Sequence, residues 1–357
     1  MIKPKETIKN LHRIIDLGDN RSNYIRLDKN ERTVLFSSHD LENMFSMLKD
    51  KDINMYPDQT PMYDAISKFL SLSKNKILLT PGSDVGLKYI FETFVNIKDS
   101  IVTLWPTYGM ANVYIKMFGA KSINIKYNQN LEINLDDILK SIQKEEVNLV
   151  YIANPNQPTG TILLENQIDE ILTNAEKKDV VVVIDEAYLQ FSDQKSSTKF
   201  IDNYSNLIVI HTFSKAFGLA SARLGIIVSQ PQNISWLSKV KPIHDINLFA
   251  LTVGTYLLNN YHIVEDYVND VKQSKIFVKQ ELNKYGIDCI LGHANFIHLK
   301  FPEKHDTAII ARRMKERGYL VRSSGNGLPA VLEGCIRITL GPLEQMKLFV
   351  DQLLNVL

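Results

Sequence analysis

Short apolar runs alternate with amphipathic stretches along most of this chain. The runs Ile77–Thr80, Ile101–Trp105, Val147–Ala153, Val180–Ile184, Ser205–Ile210 and Leu224–Ser229 predict strands. Between them, four stretches predict helices: Pro61–Leu72, the segment from Pro81-Gly-Ser-Asp84 to Phe94, Met110–Phe118 and Gln167–Lys177. Val180–Ile184 has no polar face, as expected of a strand covered on both sides. This alternation argues for an α/β fold, a mostly parallel sheet between helices.

The pattern changes beyond about residue 245. Val264–Lys284 reads as a long connecting helix, followed by a strand at Asn295–Phe301, a helix at Thr307–Arg317, a strand at Cys335–Leu340 and a closing helix at Leu343–Val356. At the other end, Lys5–Asp16 carries Ile8, Leu11 and Ile15 on one helical face, and residues 17–35 form a turn-rich arm. The expected division is an N-terminal helix and arm (1–35), a large domain (36–250) and a smaller α+β domain (251–357).

Bulk properties narrow the field. Of 357 residues, 45% are hydrophobic and 23% charged, which is ordinary for a globular protein. The net charge of +1 points to neither nucleic acid nor an anionic membrane surface. No apolar run approaches a membrane span, and Met-Ile-Lys-Pro-Lys-Glu has no signal-peptide core. The two cysteines, Cys289 and Cys335, are too far apart for metal-ligand spacing and suit a reducing cytoplasm.

The candidate chemistry lies where strands end. His211-Thr-Phe-Ser-Lys215 follows an apolar run, placing Ser214 and Lys215 where open α/β sheets bind ligands. A lysine there can form an imine with an aldehyde cofactor, and Arg223 can return to the same spot as an anion anchor. Alone, Ser-Lys reads as a solvated loop, but other stretches supply the rest of one site. Asp185 ends a run of valines and isoleucine, and a carboxylate there needs a positive partner such as a protonated pyridine. Tyr188, three residues on, can reach a ring oxygen. The loop Ala153-Asn-Pro-Asn-Gln-Pro-Thr-Gly160 offers free amides, with Asn154 and Gln157 taken as cofactor contacts. Pro81-Gly-Ser83-Asp84 at a helix start forms an anion site, completed by Thr212, Ser214 and Arg223. Tyr108, just past a strand end, can stack on a flat ring. Arg337, inside an apolar strand, needs an anionic partner, and Arg322 lies on a neighbouring run.

Together these stretches resemble the fold-type I pyridoxal-phosphate enzymes, and among them the histidinol-phosphate aminotransferase family. The resemblance runs from Leu27-Asp-Lys-Asn-Glu31 to Arg337-Ile-Thr-Leu-Gly341, in the family's order. It implies the aspartate aminotransferase-like fold, with a seven-stranded sheet in the large domain, and pyridoxal 5′-phosphate as cofactor. By the same resemblance, Lys215 carries the cofactor and shuttles the proton, Asp185 pairs with the pyridine nitrogen, Tyr188 bonds the ring hydroxyl and Tyr108 stacks on the ring. Ser83, Asp84, Thr212, Ser214 and Arg223 surround the phosphate, Ser83 and Asp84 mainly through their backbone. Tyr56 reaches the phosphate in a partner subunit, which implies a homodimer with shared active sites. Arg337, Arg322 and Asn30 face the substrate, a small anionic amine whose amino group passes to a keto acceptor; Tyr24 is the candidate to stand in for the arm tyrosine that this chain lacks.

The chain departs from the family in places. Gln157 stands where an asparagine is usual, and Ser221-Ala222 where Gly-Leu is common. The arm has Asn30-Glu-Arg-Thr33 where Asn-Glu-Asn-Pro is usual, and no Pro-Tyr pair precedes it. Arg32 is then either an added phosphate ligand or a surface charge. The altered arm opens the substrate beyond histidinol phosphate to a shorter phosphorylated ketone or amino acid, of the kind used in nucleotide-sugar or surface-polysaccharide assembly. The same cofactor residues also serve a decarboxylase of a phosphorylated amino acid, because substrate contacts decide which bond breaks.

Overall fold

A computed structural model gives the fold over residues 2–9, 11, 20–48, 53–324 and 327–357. The helix expected over Lys5–Asp16 appears at Glu6–Lys9; most of its remainder lies outside the described residues. The strands, in chain order, are β1 (Ile25–Arg26), β2 (Ile77–Thr80), β3 (Ser100–Trp105), β4 (Lys121–Lys126), β5 (Val147–Ala153), β6 (Val181–Asp185), β7 (Leu207–Thr212), β8 (Gly225–Ser229), β9 (Asp288–Ile290), β10 (Phe296–Lys300), β11 (Tyr319–Leu320), β12 (Arg322–Ser323) and β13 (Cys335–Thr339).

Seven strands form the large sheet in the order β2-β8-β7-β6-β5-β3-β4. β3 to β7 pair in parallel, and β8 runs antiparallel to both its neighbours. The carboxyl ends of β3, β5, β6 and β7 therefore lie along one edge, where Ala153 pairs with Asp185 and Asp185 with Ile210. Both faces of the sheet are covered. Val182, Ile184 and Val209 join one hydrophobic cluster, while Val183, Ile208 and Ile210 join the other. All six are fully buried, and each such side chain contributes ~1.5–3 kcal/mol. That burial makes a rigid platform of the strands whose ends carry the chemistry.

The second sheet, β12-β13-β10-β9, is antiparallel. It sets Arg337 on β13 opposite both His298 and Arg322. The arm joins this side of the molecule, since β1 pairs in parallel with β11.

The sequence missed some elements for identifiable reasons. β4 is a sheet edge whose lysines, Ser122 and Asn124 face solvent, so its apolar signal reduces to Ile123 and Ile125. The helix Leu248–Asn259 is apolar on nearly every side and shows no helical period. It straddles the expected boundary at residue 250 and packs toward the large sheet, where a Cβ on Gly254 would lie 2.5 Å from Leu224 and 3.1 Å from Met62. Among the described residues no helix is long and apolar enough to cross a membrane.

Candidate active site

β6 ends in Asp185, and its register brings the carboxylate out of the core at the sheet edge. The carboxylate is buried and accepts two hydrogen bonds, from the Tyr151 hydroxyl at 2.9 Å and the Ala187 N–H at 3.1 Å. Neither donor is a cation. Burial, partly offset by those two bonds, pushes its pKa up to about 6. A cationic N–H arriving from the cavity would relieve that penalty.

β7 ends at Thr212, and the chain then turns tightly, with the Leu219 N–H donating to the Phe213 carbonyl at 2.8 Å and Gly218 to Lys215 at 3.0 Å. This turn projects the Lys215 amine into the cavity. It donates to the Lys29 carbonyl at 3.0 Å and lies 5.6 Å from the centre of the Tyr188 ring. The Tyr188 hydroxyl accepts from the Asn30 amide at 2.9 Å, and its ring packs edge-on against Phe296.

An anion cup closes one end. The helix Gly82–Phe94 starts with Pro81 at its cap position, and no side chain caps it. Its first N–H groups and dipole are suited to negative charge. Gly82 is required here: φ is +81°, and a Cβ would lie 2.7 Å from an Arg223 nitrogen. Arg223 itself is pinned by the Ala220 carbonyl at 3.1 Å and the Ser214 hydroxyl at 3.3 Å. The Asp84 side chain accepts the Tyr108 hydroxyl at 3.0 Å, so it does more than lend its backbone. That carboxylate and burial raise the Tyr108 pKa, burial contributing most.

The other end is cationic. Arg337 is buried, and one of its terminal nitrogens donates to the Asp28 carbonyl at 2.7 Å. Its Nε has no hydrogen-bond partner among the described residues. The neighbouring Asp28 carboxylate is engaged by Arg21 at 2.6 and 2.9 Å. Burial, with Arg322 adding to it, lowers the Arg337 pKa to about 10.

One cavity of about 430 Å³ unites these groups. It is lined by Asn30, Ser83, Asp84, Tyr108, Gln157, Asp185, Tyr188, Thr212, Ser214, Lys215, Arg223, Arg322 and Arg337. Other expected residues lie outside it. Asn154 spends its amide on the loop, bonding the Leu163 backbone at 2.8 and 3.1 Å. Tyr24 lines a separate surface groove near Lys315. Tyr56 is exposed and stacked on His244 at 4.1 Å. Arg32 is neither on the cavity wall nor a surface charge: it is half-buried between the Phe36 and Tyr267 rings. Sequence reading missed Tyr151 and the carbonyls of Asp28 and Lys29. A tyrosine within an otherwise apolar buried strand was the available signal, because a buried phenol needs a partner. Backbone carbonyls leave no such mark.

The residues fit pyridoxal 5′-phosphate: a buried carboxylate with no cation among its described hydrogen-bond donors, an amine projecting into the same cavity, and an uncapped helix start beside Arg223 where a Cβ on Gly82 would crowd the guanidinium. Fold and site together define a pyridoxal-phosphate-dependent transferase with the aspartate aminotransferase-like fold. The chain belongs to the aminotransferase class I and II family, whose model matches residues 22–353. It is 30% identical over 335 residues to a histidinol-phosphate aminotransferase of Caldanaerobacter subterraneus subsp. tengcongensis, covering 93% of each chain. It is 33% identical over 306 residues to one of Christiangramia forsetii, covering 84% of each. The histidinol-phosphate aminotransferase of Sinorhizobium meliloti, solved in complex with pyridoxal-5′-phosphate, superposes with a TM-score of 0.83 at 22% identity, covering 93% of this chain and 90% of that one. The protein is a pyridoxal-phosphate-dependent aminotransferase.

Proposed function

We propose that this aminotransferase takes the amino group of histidinol phosphate, or of a small phosphorylated amine like it, and passes it to a keto acid. The observation that carries this reading is Arg337: a buried guanidinium, unpaired with any carboxylate among the described residues, facing the cavity that Lys215 enters. A buried cation in that state calls for an anion from the substrate. The names of the relatives at about 30% identity favour histidinol phosphate within that class.

Bound pyridoxal 5′-phosphate supplies an aldehyde for exchange with amines and a ring that withdraws electrons from the substrate α-carbon. In our reading, the chain's residues do the rest. Arg223, Ser214 and the start of the helix at Gly82 hold the phosphate. The Asp185 carboxylate holds a proton on the ring nitrogen, and the Tyr151 hydroxyl holds that carboxylate in place. The Asn30 amide orients the Tyr188 hydroxyl toward the ring oxygen. The Lys215 amine, once uncharged, would take the α-proton and return it two atoms away, on the former aldehyde carbon. Arg337, with Arg322, orients the substrate so that its α-C–H bond is the one that breaks.

A homodimer in the cytoplasm is part of the same proposal. Phe45 stacks on Phe249, Tyr56 on His244, and Gln59 bonds the Ile243 carbonyl, so these segments form one surface. Met47, Met55, Tyr56 and Ile243 stand exposed on those segments. A second copy would cover this face and bring Tyr56 to its partner's phosphate site. Two free cysteines suit a reducing compartment.

The test is a donor and acceptor screen followed through the cofactor's absorbance. Conversion of histidinol phosphate beyond one equivalent per site only when a keto acid is present supports the reading. Carbon dioxide release from a phosphorylated amino acid without an acceptor makes the protein a decarboxylase instead.

A further inference from the structure

The arm is fastened to one side of the cavity and acts on the other. Its backbone bonds go to the second sheet and its neighbours: the Leu27 N–H to Leu320, the Thr339 N–H to Leu27 and the Asn30 N–H to the Thr339 hydroxyl, at 2.9, 2.8 and 3.0 Å. Yet its Lys29 carbonyl and Asn30 amide reach Lys215 and Tyr188, which lie just past the ends of β7 and β6 of the large sheet. Arg32 spans this gap. Its guanidinium carbon lies 4.6 Å from the centre of the Phe36 ring and 4.3 Å from that of Tyr267 on the helix His262–Asn283. Its stem fills the space beside Gly218: a Cβ there would lie 2.4 Å from Arg32 Cδ. Its Nε and Nη1 are buried without hydrogen-bond partners among the described residues, so stacking holds the group in place. Burial lowers its pKa, while Tyr267, Asp270 and Asp40 act to keep it charged.

We propose that Arg32 is a positioning residue for Lys215: stacked between Phe36 and Tyr267 and wedged against Gly218, it locks the arm to the lysine turn and keeps the Lys29 carbonyl on the Lys215 amine. This rests on Lys215 being the cofactor lysine. Arg32→Met keeps the stem and removes the planar cation. In the full-length protein with cofactor, it is expected to retain a cooperative melt and speed amide hydrogen exchange in residues 27–33 and 213–219 together. It should lower kcat roughly 10- to 100-fold, while the KM of the keto acceptor moves less than about twofold. Arg32→Lys recovers only part of the loss, because an ammonium does not stack as a plate. Gly218→Ala, which drives a methyl into the Arg32 stem, should loosen the same two segments. Wild-type exchange in both segments of Arg32→Met overturns the proposal, as does faster exchange throughout the chain with a kcat loss equal to the unfolded fraction. A cofactor adduct mapped to another lysine removes the Lys215 reading; an adduct on Lys215 with unchanged exchange in Arg32→Met removes only the Arg32 proposal.

Discussion

Replacing Asp185 with Asn should stabilise the cofactor-free protein above about pH 6 while abolishing its turnover. The Asp185 pKa is about 6 in the fold against an ordinary 3.8. At about 1.36 kcal/mol per pKa unit, that gap corresponds to ~3 kcal/mol. Below the ordinary value the acid is protonated, folded or unfolded, and there is no penalty. As pH rises from about 4 to about 6, the unfolded chain ionises first, so stability falls; above that, the full penalty applies. Asn carries no charge, but its single oxygen replaces the two that accept from Tyr151 and Ala187, and losing one such bond costs ~1 kcal/mol. The net gain at about pH 8 is thus ~2 kcal/mol, turning to a small loss near pH 3.5. Glu186, raised to about 7, is one of the smaller causes that raise Asp185, so its charge is part of the penalty that Asn removes; His211, lowered to about 4, is common to both proteins. Urea unfolding of both cofactor-free proteins across this range measures it. Adding pyridoxal 5′-phosphate should reverse the order, since Asp185 then meets a protonated ring nitrogen. A variant no more stable than wild type at about pH 8, or an advantage that does not change with pH, refutes the reasoning.

Other substitutions test the remaining parts. Lys215→Ala should lose turnover yet keep a cooperative melt within a few degrees of wild type; full activity would exclude Lys215 as the cofactor lysine. Arg337→Met should raise the KM of a phosphorylated donor ~10- to 100-fold, in line with ~1.5–3 kcal/mol for charged hydrogen bonds. It should move the KM of an uncharged donor much less, and equal effects on both would place the anion elsewhere. Gly82→Ala puts a methyl 2.7 Å from Arg223 at φ +81°, a conformation costing ~1–2 kcal/mol for a non-glycine residue. Titration with the cofactor should show weaker binding than wild type; equal affinity would mean the cup does not hold the phosphate.

The legible parts of the chain are those where burial and chemistry meet. Val181–Ile184 and Leu207–Ile210 are buried on both faces, so their ends, and with them Asp185 and Lys215, were marked by the loss of apolar character. β7 nevertheless extends to Thr212, because Thr212 pairs with Gly225 of β8, the next strand, and that pairing leaves no apolar mark at Thr212 itself. The role of Tyr151 depends on the parallel register of β5 and β6, which sets Ala153 beside Asp185 and leaves the tyrosine hydroxyl within reach. Asn154 looked like a ligand because amide-rich loops often are, but the loop itself consumes that amide. The arm was hardest to read. Asp28 and Lys29 act through carbonyls, and Arg32 acts by filling the space left by a glycine far along the chain.

The central claim is that Lys215 bears the cofactor, and reducing the yellow protein with borohydride before digestion tests it most directly. The account predicts the phosphopyridoxyl mass on the peptide containing Lys215 and on no other. That mass on a different lysine, or on none in a protein that binds the cofactor, contradicts it.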